Sequence, residues 1–430
     1  MKVLMLGWEF PPFISGGLGT ACYGLTKAMD QLGIQVTFIL PKVFDTDYTT
    51  HVKLLTPDTK TYEESFDAVK WKNIKFRTIC SPLKPYSTPE LYSQRIEQTL
   101  SHKQKALMGI SEGSHLEGID YTGDMYSEVH RYAAIATNLA ENEDFDIVHA
   151  HDWMTYPAAI AISKLSGKPL ITHIHSTEFD RSGEHVNQMI YDIEKKGMHS
   201  ADKVIAVSHF TRKTVISRYG VSGDKVEVVY NGVDRSDNGN WPLAETGIEK
   251  DEKIVLFLGR ITMQKGPEYF IQAAKKVLDV MDNVKFVMAG SGDLAYRTVE
   301  MAAELGIGHK VLFTGFLRGE NVKKIYQMAD LYVMPSVSEP FGIAPLEALD
   351  NDVPVIISKQ SGVSEVLTHA LKVDFWDIDE IANKIIAVLK YPPLQLTLRD
   401  YGNFEIRKMR WTETAARCLK IYAKTMVPVG

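Results

Sequence analysis

At 430 residues, with 45% hydrophobic and 24% charged content, the chain is long enough for two or three domains with buried cores, which excludes global disorder. Lys+Arg 48 against Asp+Glu 54 leaves a net charge of −6, so there is no electrostatic footprint for nucleic acid or an anionic membrane surface, and any anionic ligand must be held by local groups. Cys22, Cys80 and Cys418 are odd in number and far apart, the pattern of a reducing compartment rather than a disulfide framework. The opening Met1–Glu9 is apolar too briefly for a signal peptide, and no later run approaches the roughly 20 apolar residues of a membrane span. The expectation is a cytoplasmic protein without integral membrane association; the sequence does not specify an oligomeric state.

Lys2 to Trp8 is a continuous apolar run of strand type, and Gly17 to Gly33 carries Leu18, Cys22, Leu25, Met29 and Leu32 at helical spacing. Ile34 to Leu40 returns as a second strand, which makes a βαβ unit and therefore a parallel sheet. The intervening loop holds Gly16 and Gly17, where backbone amides can approach a phosphate or a sugar closely; it is not the G-x-G-x-x-G dinucleotide fingerprint. Residues 43 to about 123 are polar and carry Pro82, Pro85 and Pro89, the marks of an insertion; it ends in a helical patch around Leu91–Met108. Within it, Trp71–Arg77 alternates bases with aromatics at a spacing that suits a half-buried strand.

The α/β rhythm then resumes. A helix is expected near Met125–Ala140, a strand at Asp146–Ala150 ending in His151-Asp152-Trp153, a helix at Thr155–Leu165, and a strand at Leu170–Ile174 ending in His175. Ligands of open parallel sheets sit at the carboxyl ends of strands, which makes both tips site candidates. A helix near Glu184–His199 precedes strands at Lys203–Val207 and Val226–Tyr230, the last leading into the turn-forming Asn231-Gly232-Val233-Asp234. Arg235–Glu252 is polar and aperiodic, as an interdomain linker is.

The second half alternates again. Strands are expected at Ile254–Leu258, Val284–Ala289, Val311–Gly315 and Leu331–Met334, and helices at Pro267–Val280, Leu294–Leu305 and Asn321–Met328, together a second doubly wound sheet. The first of these strands ends in Gly259-Arg260-Ile261-Thr262-Met263-Gln264-Lys265-Gly266, two bases at a carboxyl edge with no acid beside them in sequence. The last enters Ser338-Glu339-Pro340-Phe341-Gly342-Ile343-Ala344-Pro345-Leu346-Glu347. Pro345 suits a first helical turn, so a helix is placed near Ala344 with the amides of Gly342 and Ile343 at its positive end, a site for a phosphate. Glu339 and Glu347 flank that spot. Such an arrangement fits a sugar nucleotide, with diphosphate at the helix end, ribose on one acid and hexose on the other. Asn351, after this helix, is expected to take the left-handed cap position of a glycine.

The Glu339-Pro340-Phe341-Gly342 run with Glu347 resembles the signature of retaining GT-B glycosyltransferases. Gly16-Gly17-Leu18-Gly19, His149-Ala150-His151-Asp152-Trp153, Ile174-His175, Asn231-Gly232-Val233-Asp234 and the Arg260–Lys265 block follow in the order of the corresponding blocks of glycogen and starch synthases, glycosyltransferase families 4 and 5. The likeness covers almost the whole chain outside the insertion. It departs at Ile14, where the family usually has Lys, and only loosely matches at Ser361–Glu365 and Leu371–Asp377.

The resemblance implies an α/β GT-B fold of two doubly wound Rossmann-like domains facing across a cleft: residues 1–240 on the acceptor side, residues 250–410 on the donor side, and a last helix at 411–430 crossing back to the first. It implies a hexosyltransferase that moves α-glucose from UDP-glucose or ADP-glucose to a glucan acceptor with retention, by front-face attack. With two bases and a helix N-terminus near the diphosphate and no D-x-D pair beside them, no cofactor or metal is expected. In that correspondence His175 and Glu339 contact the transferred sugar, Glu347 the ribose, and Arg260 and Lys265 the departing diphosphate. Gly16, Gly17, Phe341, Gly342 and Ile343 complete the donor site, and Glu9 and Asp152 lie near the acceptor. Two alternatives remain open: a related enzyme making another glycoside, and a metallohydrolase using His149-x-His151 and His173-x-His175, a spacing that puts imidazole pairs on one side of a strand.

Overall fold

The computed structural model describes residues 1–10, 16–43, 73–81, 125–234 and 252–426. Ile14, the helical patch expected at 91–108, most of the insertion and nearly all of the expected linker lie outside the described residues.

The first sheet contains β1 (Lys2–Leu6), β2 (Gln35–Val43), β3 (Ile74–Ser81), β4 (Ile147–His151), β5 (Leu170–Ile174), β6 (Lys203–Ala206) and β7 (Val226–Val228), in the order β3-β2-β1-β4-β5-β6-β7. The pairings β1–β2, β1–β4, β2–β3 and β6–β7 are parallel. Strands β4 and β5 are buried along their whole length, with His149, His151, Thr172 and His173 among the buried residues. The helices of this half are α1 (Gly17–Gln31), α2 (Met125–Glu141), α3 (Tyr156–Ser166), α4 (Glu178–Ser182), α5 (Gln188–Ser200) and α6 (His209–Tyr219). Helix α1 buries Leu18, Cys22, Leu25 and Met29, the face expected from their spacing. The insertion contributes to the sheet: β3 continues β2 in parallel register from Val36–Ile74 to Val43–Ser81.

The second sheet contains β8 (Lys253–Leu258), β9 (Val284–Ala289), β10 (Val311–Gly315), β11 (Leu331–Met334), β12 (Val355–Ser358) and β13 (Leu371–Val373), ordered β10-β9-β8-β11-β12-β13. Every pairing in it is parallel. Between and after the strands run α7 (Pro267–Leu278), α8 (Ala295–Glu304), α9 (Glu320–Met328), α10 (Ala344–Asp350), α11 (Ile378–Lys390), α12 (Pro392–Ile406) and α13 (Trp411–Met426). Both faces of the sheet are covered. Val255 and Phe257 of β8 point into one apolar cluster with Phe270, Phe286 and Ile385, while Leu256 points into another with Tyr332, Leu346 and Leu349. The strand order reverses between β8 and β11, and an open parallel sheet binds ligands in the crevice at such a point. The two loops singled out by sequence leave these neighbouring strands.

The chain divides into two compact units, one of Met1–Thr172, Lys196–Asp202 and Tyr422–Gly430, the other of His173–Lys195 and Lys203–Ile421. No helix among the described residues is long and apolar enough to cross a membrane. Cys22 and Cys418 are buried free thiols.

Some local features differ from the sequence reading. Helices α4, α6, α11 and α12 and strands β12 and β13 were not expected. Helix α6 buries only Thr211, Val215 and Tyr219 and so has little apolar periodicity; its ends are nevertheless marked by Ser208, which accepts the Thr211 N–H, and by left-handed Gly220 at φ 70°. The left-handed position after α10 is taken by Asp352, at φ 60°, and not by Asn351, at φ −94°. Asn351 instead donates its side-chain amide to the Glu347 carbonyl oxygen at 2.9 Å, so it caps the helix by a side chain rather than by its backbone.

Candidate active site

The loop leaving β8 is folded onto the loop leaving β11 by its own backbone. The Gln264 carbonyl oxygen accepts the Val337 N–H at 2.9 Å, and Gln264, itself buried, accepts from Arg260 Nη2 at 3.0 Å. Gly266 turns the chain at φ 64°, and a Cβ there would collide with the Pro335 carbonyl oxygen; this is a close approach in a left-handed conformation that glycine alone supplies without strain. The result places Lys265 Nζ in an ion pair with Glu339 Oε2, between residues 74 apart in sequence. Ser336 Oγ donates to the same oxygen at 3.4 Å.

Glu339 is buried at 6% exposure, which without a partner would be costly for a carboxylate. Its backbone is fixed as well: its N–H donates to Gln360 O and its carbonyl accepts the Gly362 N–H, each at 2.9 Å. Gly342 stands at φ 102°, against Glu339 Cγ, Met334 and Val363. Phe341 is buried in the apolar cluster with Leu346 and Val363, so of this residue only the main chain is left for a ligand. Ile343 is half-buried and opens α10, which starts at Ala344 as expected. Glu347 is half-buried in the first turn of α10, where its carboxylate accepts from Tyr326 Oη at 3.0 Å. Burial pushes its pKa up, the Tyr326 hydrogen bond works against that shift, and the charge of Asp350 adds to it.

The segment after β5 joins this unit. His175 is half-buried, its ring stacked on His173 with centroids 4.3 Å apart. Desolvation pushes its pKa down to about 3, so its imidazole is neutral near pH 7 and offers hydrogen bonds without charge. Two residues on, Thr177 caps α4, and Asp180 Oδ2 accepts both the Thr177 N–H and the Thr177 hydroxyl at 2.7 Å. Asp180 Oδ1 accepts the Ser338 hydroxyl at 2.6 Å. A single buried carboxylate therefore ties the His175 segment to the residue before Glu339. Sequence reasoning missed Asp180; its capping-box spacing from Thr177 was the available signal. It also missed Ser208, whose hydroxyl donates to the Pro340 carbonyl oxygen at 2.5 Å, and Glu365, which accepts the N–H groups of His209 and Phe210 at 3.0 and 2.7 Å.

The other candidates lie in the first unit. Glu9, almost fully buried, accepts the Gly19 N–H at 2.9 Å and so satisfies an amide in the first turn of α1. Asp152 is buried at the end of β4 at φ 57°, an uncommon conformation for a non-glycine residue. Burial pushes the Cys22 thiol up in pKa, and the charges of Asp152 and Glu9 push it further, which places both acids around one buried sulfur. Gly16 is extended and Gly17 begins α1; a Cβ on Gly17 would meet nothing within 4 Å, so packing does not require glycine there. His149 and His151 stack with centroids 4.5 Å apart, and His149 Nδ1 is bonded to the Tyr422 hydroxyl.

Residues 243–403 match the family described as glycosyl transferases group 1, and residues 122–237 match glycosyltransferase family 4. The chain is 31% identical to an uncharacterized glycosyltransferase of Methanocaldococcus jannaschii, over the full length of both. It is 24% identical to a glycogen synthase of Mycobacterium tuberculosis, over 86% of this chain and 80% of the relative. Its fold is similar to that of Anabaena HepE, solved with UDP and glucose, at a TM-score of 0.68 and 17% identity, covering 99% of this chain and 100% of that one. Two parallel α/β sheets and this full-length likeness make the chain a member of the group 1 glycosyltransferases, with the GT-B type of fold. Membership in a transferase family weighs against the hydrolase alternative.

Proposed function

We propose that the chain transfers an α-glucosyl group from UDP-glucose or ADP-glucose to a glucan hydroxyl with retention. The observation that carries this reading is the Lys265–Glu339 pair, which joins the two loops leaving neighbouring strands at the sheet's switch point. The likeness to a glycogen synthase supports the glucan acceptor.

The residues divide the work as follows. Arg260 and Lys265 neutralise charge on the leaving diphosphate, together with the amides of Gly342 and Ile343, so no metal is required; such preorganised charge acts where negative charge develops. Lys265 is paired with Glu339 in the structure, and a diphosphate competes for it, which frees Glu339 to accept hydrogen bonds from the sugar hydroxyls. Neutral His175 binds the sugar beside its reacting carbon, and Glu347 takes the ribose. The C1–O bond to phosphate breaks, a bond from C1 to the acceptor oxygen forms on the same face, and the acceptor's proton passes to the leaving phosphate oxygen. Glu9 and Asp152 serve the acceptor.

The test offers UDP-glucose and ADP-glucose in turn with glycogen, maltooligosaccharides and glucose 1-phosphate, following nucleotide release, product length and anomeric configuration by NMR. Elongation of glycogen through an α-linkage is expected. A β-linked product overturns retention, and turnover confined to a non-glucan acceptor overturns the glucan reading in favour of another glycoside.

A further inference from the structure

The Tyr326 hydroxyl stands between two acceptors, Glu347 Oε2 at 3.0 Å and the Ala344 carbonyl oxygen at 3.2 Å. A phenol carries one hydrogen and donates one such bond at a time. Tyr326 is almost fully buried, so the hydroxyl has no water to make up a missing bond. We propose that Tyr326 is a positioning residue that holds Glu347 ready for the nucleotide, its hydroxyl hydrogen directed to the carboxylate in the binding state and to the Ala344 carbonyl oxygen in the other. The proposal rests on the reading of Glu347 as the ribose ligand.

Hydrogen placement separates the two states. With Glu347 ionised, the phenol donates to Oε2 in a charge-assisted bond, the stronger of its two options. Oε2 is thereby fixed in direction, and Oε1, which has no hydrogen-bond partner among the described residues, remains an acceptor for a ribose hydroxyl. With Glu347 protonated, the carboxyl hydrogen is donated to the phenol oxygen and the phenol donates to Ala344 O. Both groups stay satisfied, so protonation does not unfold the site, but the acid then presents a poorer acceptor to a diol.

Few ionisable groups compete for this carboxylate. Tyr326 comes from α9 and Tyr332 from β11; on α10 itself Asp350 raises the pKa of Glu347. Tyr332 is occupied, donating to Leu258 O at 3.2 Å. From α12, Gly402 and Asn403 lie against Leu349, and β12 contributes only the Val-Ile-Ile-Ser run; none of these titrates. The pKa of Glu347 is raised chiefly by burial, and the Tyr326 bond lowers it. The sign follows: the ionised, binding form is lost as pH falls, and loss of the Tyr326 hydroxyl moves that loss to higher pH.

UDP and ADP binding is measured by calorimetry from pH 5 to 8.5 in two buffers of different ionisation enthalpy, for the wild type, Tyr326→Phe, Asp350→Asn and Glu347→Gln. In the wild type, affinity falls toward low pH, by up to about tenfold per pH unit below the transition, with proton release on binding across it. Tyr326→Phe moves the transition upward while affinity at the high-pH limit returns to within a few-fold of wild type, so the KM for donor rises most at low pH and kcat falls less. Asp350→Asn moves the transition downward, an independent check if Tyr326→Phe folds poorly. A Tyr326→Phe profile parallel to wild type, weakened equally at every pH, overturns the proposal and leaves the residue as packing. Affinity unchanged in Glu347→Gln overturns the ribose reading itself.

Discussion

Glu339, before α10, and Glu347, in its first turn, have different partners, a cation for the first and a phenol for the second, and their variants are expected to behave differently. Glu339→Gln should cut kcat by on the order of 10²–10³, the effect of losing a transition-state contact, while nucleoside diphosphate affinity stays within a few-fold of wild type. Steady-state rates beside calorimetry check this, and near-normal turnover removes Glu339 from the chemistry. His175 gives a prediction of another kind. Its pKa is about 3 in the folded chain against an ordinary value of 6.5, so between those values the unfolded chain binds a proton that the folded chain does not. Stability from this group is full above about pH 6.5 and falls as pH drops toward 3. Urea midpoints across that range should therefore decline less steeply in His175→Gln than in wild type; parallel curves would show that the imidazole is not desolvated.

At the scale of elements, what the sequence made legible is what local pattern encodes. Strands β5, β9, β10 and β11 fall where their apolar runs end, and α1 and α10 begin at the expected glycine and proline turns. Helix α6 was hidden because only three of its residues are buried, and Asp352 because either residue of an Asn-Asp pair tolerates a left-handed backbone. The Lys265–Glu339 pair and the Asp180–Ser338 bond join residues 74 and 158 positions apart, and no local period reports such contacts. Asp180 therefore carries the element-scale prediction. Ser338→Ala leaves a buried carboxylate short of a donor and should cost about 1–3 kcal/mol of stability. Once Asp180 is Asn, the same serine substitution should cost less, giving a coupling energy of about 1 kcal/mol or more in a double-mutant cycle on urea midpoints. Additive losses would mean that the bond does not hold the Glu339 loop to α4.

For the whole molecule, a net charge of −6 means that the proposed anionic donor would have to be bound against the overall field, by charges gathered locally. Many phosphate-handling sites gather that charge with Mg²⁺ held on carboxylates. Here Lys265 is paired with Glu339, so we assign diphosphate neutralisation to Arg260, Lys265 and the first turn of α10. The direct test measures nucleotide release from a glucose nucleotide with glycogen, with and without EDTA, in wild type and in Arg260→Ala/Lys265→Ala, with far-UV circular dichroism to confirm that the variant is folded. Wild-type activity should be unchanged in EDTA, and activity should fall by on the order of 10² or more in the folded double variant. Activity abolished by EDTA and restored by added metal, together with a double variant that turns over normally, would contradict it.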